Sequence, residues 1–156
     1  MLSIGANLGT RKQNILNAVN YLKSSNVLSN VTLSSFYETE PVGYTEQPWF
    51  LNIAVTGYTD CSLISLIALC KKIELSLGRK VRQHWHEREI DIDIIFYGNK
   101  CENNSVVTVP HPRMHERKFV LIPAAEIAGG TIDPESGKTI KELLAECEDD
   151  SIVNKF

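Results

Sequence analysis

Between Glu89 and Gly98 the sequence reads EIDIDIIFYG, and this short alternation restricts the fold more than any other segment. In an extended strand successive side chains point to opposite faces, so Ile90, Ile92 and Ile94 share one face while Asp91 and Asp93 share the other. One face is built for a core. The other sets two carboxylates a few residues' width apart, an arrangement that repels itself unless a cation lies between them.

The surrounding segments predict what this strand packs with. MLSIG is a short apolar run closing on glycine, ANLGT is a turn, and Ile15, Val19 and Leu22 recur at i, i+4 and i+7, which predicts strand, turn and helix. Gly5 and Gly9 read as turn glycines that set the first strand against the first helix. Val31 to Glu38 predicts a strand, and EPVGYTEQP, with two prolines and a glycine, predicts a long loop from Glu40 to Pro48. From Trp49 to Tyr58 the pattern alternates again: Trp49, Leu51, Ile53 and Val55 form a core face, and Phe50, Asn52, Ala54 and Thr56 a face suited to a ligand. Ser62 or Asp60 caps a helix striped by Leu63, Ile67, Cys70, Ile73 and Leu77 and ended by Gly78, with Glu74 beside the stripe. Beyond the acidic strand, VVTVP predicts a short strand and HPRMHER a loop. KFVLIPAAEIAGG predicts a helix bent or started at Pro123, and TIKELLAEC a last helix capped by Thr139.

The order β, α, β, β, α, β followed by a mixed extension excludes a doubly wound parallel sheet, because paired strands lack intervening helices. It predicts an α+β fold: a ferredoxin-like βαββαβ core whose mostly antiparallel sheet is flanked by helices in three α/β/α layers. All 156 residues are expected to form a single domain. A net charge of -3 argues against a protein that coats nucleic acid or an anionic membrane, so any anion site must be local. Cys61, Cys70, Cys101 and Cys147 are scattered without a CxxC pair and read as reduced thiols of a cytoplasmic protein. No apolar run approaches the roughly 20 residues of a bilayer-spanning helix.

Hard oxygen ligands at the spacing of Asp91 and Asp93 suit Mg²⁺, which keeps several waters and is usually completed by substrate phosphates. Alone, Asp-x-Asp reads more simply as a solvated strand face. The stretch Arg79 to Arg88 reverses that, because it sets Arg79, Lys80, Arg82 and Arg88 against the single acid Glu87. Phosphate held between metal and guanidinium is most of what a protein must supply to phosphoryl transfer. A second basic segment adds His111, Arg113, His115, Arg117 and Lys118. Zinc is the rival reading of these histidines, but no cysteine accompanies them at the tight spacing structural zinc favours. No GxxxxGK[ST] loop occurs, so this is not a P-loop kinase. Phe50 and Phe119 are candidates to stack on a flat ring, and Asn52 offers donors and an acceptor to its edge.

Taken in order, SIGANLG, SSFYETEPVG, QPWFLNIAV, IELSLGR, REIDIDIIFYG and VPHPRMHERKFVLIPAAEIA resemble the 6-hydroxymethyl-7,8-dihydropterin pyrophosphokinase family over nearly the whole chain. The resemblance implies that two Mg²⁺ ions on Asp91 and Asp93 bridge the phosphates of ATP, the co-substrate, and that the pterin hydroxymethyl oxygen attacks the β-phosphorus, releasing AMP. It also implies catalytic roles for Arg79 and Arg88 and ATP contacts from Glu74, Trp85, His111 and Arg117. The pterin would lie between Phe50 and Phe119, with Asn52 on its edge and contacts around Thr39 and Val42. Arg79 to Arg88 would form a mobile loop carrying Trp85 over the site. The expected partners are thus ATP and a pterin, with no nucleic acid and no membrane. A monomer is the expected state, a dimer the other one the sequence allows.

Three positions depart from the family's usual pattern. His86 stands where a small Gly or Ala is common, Ala6 replaces a serine of the first turn, and Pro112 follows His111 where an aromatic is frequent. None removes a metal ligand. Competing readings are another two-metal nucleotidyl or phosphodiester enzyme, and a catalytically inactive RNA- or nucleotide-binding module of the same topology. The absence of an RNP-like aromatic run and the negative charge oppose RNA.

Overall fold

The computed structural model describes residues 1–82 and 86–156. Strand β1 (Leu2–Ala6) leads to helix α1 (Arg11–Ser24), then β2 (Ser29–Leu33), β3 (Tyr37–Thr39), β4 (Phe50–Tyr58), helix α2 (Leu63–Ser76) and β5 (Asp91–Ile94). A hairpin of β6 (Glu102–Asn103) and β7 (Thr108–Val109) follows, then a single 3-10 turn at Met114–Glu116, helices α3 (Lys118–Ala128) and α4 (Ile140–Glu146), and strand β8 (Val153–Lys155). The main sheet runs β5-β1-β4-β3-β8, with β2 also on β4, and every one of these pairings is antiparallel.

This is the expected α+β arrangement. Alternate residues of the central strands, Leu2, Ile4 and Ala6 with Leu51, Ile53, Val55 and Ile92, are buried with Ile15, Val19 and Leu22 of α1 and Leu66, Cys70 and Ile73 of α2. Each Val, Leu or Ile among these contributes about 1.5–3 kcal/mol by leaving water. On the opposite face α3 and α4 cover Ala54 with Val120, Leu121, Ala124, Ile140 and Leu143. The remainder of that second face, at the end where Asp91, Gly5 and Asn52 lie in register, carries the functional residues.

Several elements differ from the sequence-based expectation. Val31 to Glu38 is not one strand: it breaks at Ser34, whose backbone N–H donates to the Ala54 carbonyl while its hydroxyl accepts from the Ala54 N–H. Because that one residue uses both its backbone and its side chain on Ala54, β2 and β3 reach β4 as separate pieces. The acidic strand is shorter than Glu89 to Gly98, because its partner β1 runs only from Leu2↔Ile94 to Gly5↔Asp91. Of the two readings of Pro123, a bend or a start, the start is excluded: it sits within α3, buried, and having no N–H it leaves the Phe119 carbonyl without its helical donor. Gly5 is not a turn residue but lies inside β1, whereas Gly9, at φ +65°, does make the turn. Ser62, not Asp60, caps α2, and Thr139 with Glu142 forms a capping box on α4. Strand β6 and the edge strand β8 were not predicted.

Candidate functional site

The site is built across three adjacent strands. The register places Asp91 opposite Gly5, and Gly5 opposite Asn52; one step along, Asp93 faces Ser3, and Ser3 faces Ala54. Residues paired in register share a face, so Ser3 and Gly5 form a floor of small side chains with the carboxylates on one flank and Asn52 on the other. With strands about 4.8 Å apart, the flanks are separated by roughly 10 Å. Gly5 is required there: a Cβ at that position would meet Asn52 Oδ1 at 2.2 Å.

A cavity of about 110 Å³ lies above this floor. Asp91, Asp93, Arg88 and Arg117 line it, together with Thr39, Val42, Phe50, Asn52 and Phe119. Nine of the residues singled out from the sequence therefore meet in one space, joined by Ser3, Gly5, Glu40 and His86. Asn52 Nδ2 donates to Thr39 Oγ1 at 2.7 Å, a buried bond that fixes the amide. The Arg117 guanidinium lies 5.6 Å from the centre of the Phe119 ring, in cation–π range.

Both oxygens of Asp91 are engaged by arginine: Arg79 Nη1 at 2.6 Å from Oδ1 and Arg88 Nη1 at 3.2 Å from Oδ2. Arg117 Nη1 is 4.0 Å from Asp93 Oδ2. Burial, and next the neighbouring charge of Asp91, push the Asp93 carboxyl up to about 6. A carboxylate so placed gains from any cation that joins it to Asp91. The two offer hard oxygens only, and among the described residues no group of three or more His, Cys, Asp or Glu could hold a metal. That donor set fits Mg²⁺, whose shell is completed by water and phosphate oxygens, and not a closed zinc site.

Glu74 and Arg79 face a neighbouring cavity of about 340 Å³, lined also by Lys71, Lys80, Arg82 and Arg88. Glu74 is 1% exposed and its carboxylate is held by protein groups: it accepts from the Ile92 N–H at 2.8 Å, from Lys71 at 3.0 Å, and from Arg79. Burial raises its pKa, and Asp91 adds to the rise. His111 lines a third cavity of about 190 Å³ with Ile67, Lys71, Asp93 and Val107. Its Nδ1 accepts from the Arg113 N–H, and burial, then Arg117 and Arg113, lower its pKa to about 4. The three cavities share walls: Arg88 is common to the first two, Asp93 to the first and third, Lys71 to the second and third. Trp85 and His84 lie outside the described residues.

Asn7, 3% exposed, was not singled out from the sequence. Its Nδ2 donates to Gln47 Oε1 and the Pro48 carbonyl, its Oδ1 accepts from the Arg88 N–H at 2.7 Å, and its own N–H donates to the Arg88 carbonyl. Thus one amide ties the first turn to both loops that border the cavity. An asparagine in a turn is common enough that only these distant partners distinguish it.

Residues 1–129 match the family described as 7,8-dihydro-6-hydroxymethylpterin-pyrophosphokinase (HPPK). The chain is 36% identical over 155 residues to the Haemophilus influenzae protein named 2-amino-4-hydroxy-6-hydroxymethyldihydropteridine pyrophosphokinase, covering 97% of this chain and 94% of that one. It is 40% identical over 126 residues to the Bacillus subtilis protein of the same name, covering 81% of this chain and 75% of that one. Among solved structures, a chain described as HPPK-DHPS in complex with substrates superposes with a TM-score of 0.72 over 93% of this chain at 14% identity, a likeness of fold. This chain spans 42% of that one's length.

Proposed function

The chain belongs to the 7,8-dihydro-6-hydroxymethylpterin-pyrophosphokinase family and is a pyrophosphokinase of folate synthesis, and on that premise we propose how its own residues perform the transfer. The hydroxymethyl oxygen of the dihydropterin bonds to the β-phosphorus of ATP, and the bond from that phosphorus to the oxygen bridging the α-phosphorus breaks. AMP leaves with the bridging oxygen, the pterin carries the diphosphate, and the alcohol proton is lost as the new bond forms.

One observation carries this reading: the paired carboxylates and Asn52 lie on opposite flanks of a strand whose side chains on that face are small, and Phe50, Phe119, Arg88 and Arg117 line the same cavity. Asp91 and Asp93 would hold Mg²⁺, two ions in the full complex, which would neutralise charge on the ATP phosphates. Phe50 and Phe119 take the two faces of the pterin, Asn52 and Thr39 its edge, and Val42 its side. ATP extends over the two outer cavities, where His111 and Lys71 stand. His111, kept neutral, keeps hydrogen-bonding capacity without repelling the neighbouring arginines.

Arg79 and Arg88 turn from Asp91 to the phosphates when the nucleotide arrives, so the charge they neutralise passes from protein to substrate. Glu74, enclosed by Lys71, Arg79 and the Ile92 N–H, acts by anchoring Arg79 as it turns toward the phosphates and not by touching the nucleotide. Asn7 positions both loops. We take the chain as a single cytoplasmic catalytic domain acting as a monomer; no helix among the described residues is long and apolar enough to cross a membrane. Asp91→Ala and Asp93→Ala are expected to abolish turnover while leaving the unfolding transition intact. Near-normal rates in excess Mg²⁺ would refute the metal assignment.

A further inference from the structure

The two loops that border the cavity meet twice. At their roots, Asn7 binds the Arg88 N–H on one side and Gln47 Oε1 on the other, and Gln47 Nε2 in turn donates to the Tyr44 carbonyl at 2.5 Å. At their outer ends, the rings of Tyr44 and His86 stack with centroids 4.8 Å apart and planes 23° from parallel. Each loop is thereby an arm rooted on one asparagine, and the ring pair closes the two arms into a circuit. His86 also lines the cavity itself, alongside Val42, Phe50 and Arg88. A glycine or alanine at position 86 would leave the root contact and remove the outer one.

We propose that His86 is a positioning residue for the pterin: stacked on Tyr44, it joins the loop of residues 40–48 to the segment leading into Arg88 and so holds the pocket in its binding form before substrate arrives. The inference rests on the pterin reading of this cavity. Its energetic scale is that of one offset aromatic pair, which corresponds to roughly a two- to twelvefold change in affinity. Both rings are partly exposed, at 41% for Tyr44 and 33% for the His86 side chain, so neither is committed to the core and their contact is free to serve the loops.

The test is a double-mutant cycle read by fluorescence titration with oxidised 6-hydroxymethylpterin, in Mg²⁺ and an ATP analogue bearing a methylene between the α- and β-phosphorus. His86→Ala and Tyr44→Ala are each expected to weaken pterin binding about three- to tenfold, the double variant no further than the weaker single one. His86→Phe, which keeps a ring to stack, should restore affinity, and binding of the ATP analogue alone should change less than twofold throughout. Additive losses, or failure of His86→Phe to restore binding, overturn the proposal, because the ring pair would then not be the acting unit. If the unaltered chain binds the analogue but not the pterin, the pterin reading falls and this inference with it. Pterin binding equal in all variants overturns this inference alone.

Discussion

Replacing Gly5 by alanine should damage the protein through a single contact. The added Cβ would meet Asn52 Oδ1 at 2.2 Å, and nothing else closer than Asn52 Cγ at 3.4 Å and the Leu51 carbonyl at 3.8 Å. A free surface amide would swing aside at little cost, but Asn52 is 4% exposed and its Nδ2 bonds Thr39 Oγ1 at 2.7 Å. Moving it costs about 0.5–1.5 kcal/mol of off-rotamer strain and about 1–3 kcal/mol for the broken buried bond. The sum, about 1.5–4.5 kcal/mol, corresponds to a fall in Tm of roughly 3–18 °C for a chain of this size. Thermal unfolding of Gly5→Ala, Asn52→Ala and the double variant separates the causes. With Asn52 truncated, only the ordinary contact to Leu51 remains, so Gly5→Ala should then be neutral or stabilising by about 0.5–1 kcal/mol, the usual gain over glycine in a strand. An equal loss in both backgrounds would refute the register-based explanation.

Removing Arg88 as Arg88→Gln should tighten Mn²⁺ binding in the absence of nucleotide about two- to fivefold, the scale of one partly exposed ion pair, because Asp91 Oδ2 is then free for the ion. Arg82→Gln, whose guanidinium pairs instead with Glu89, should leave Mn²⁺ binding unchanged in the same paramagnetic resonance titration, and an equal effect of the two would point to bulk charge alone. The His111 pKa lies at about 4 in the folded chain against an ordinary 6.5, so the native state binds fewer protons than the unfolded one between those values. Stability is therefore lost as pH falls through that window. Urea midpoints at pH 7 and pH 5 should differ more for the unaltered chain than for His111→Gln, and equal differences would contradict the buried neutral imidazole.

How far the sequence revealed the site depended on whether a local period carried the information. The alternation of Asp91 and Asp93 with isoleucines, and of Phe50 and Asn52 with Leu51 and Ile53, placed each side chain on its face before any pairing was known. Gly5 was misread as a turn glycine because its need for hydrogen in place of a side chain comes from Asn52 on another strand, and register is not written locally. Asn7 escaped notice for the same reason, since its partners Gln47, Pro48 and Arg88 are far away in sequence. Val153–Lys155 has too little β-branched or aromatic character to read as a strand and becomes one only by pairing with Tyr37–Thr39. For Glu74 the helical period gave only a place beside the apolar stripe; the Ile92 N–H, Lys71 and Arg79 that enclose it come from the fold.

The most direct measurement is product analysis after incubating the chain with ATP, Mg²⁺ and 6-hydroxymethyl-7,8-dihydropterin, with controls lacking metal or pterin. Diphosphate transfer predicts AMP and the pterin diphosphate in equal amounts, formed only when all components are present. Formation of ADP with a pterin monophosphate, or no nucleotide turnover by folded protein that binds both substrates, would contradict it.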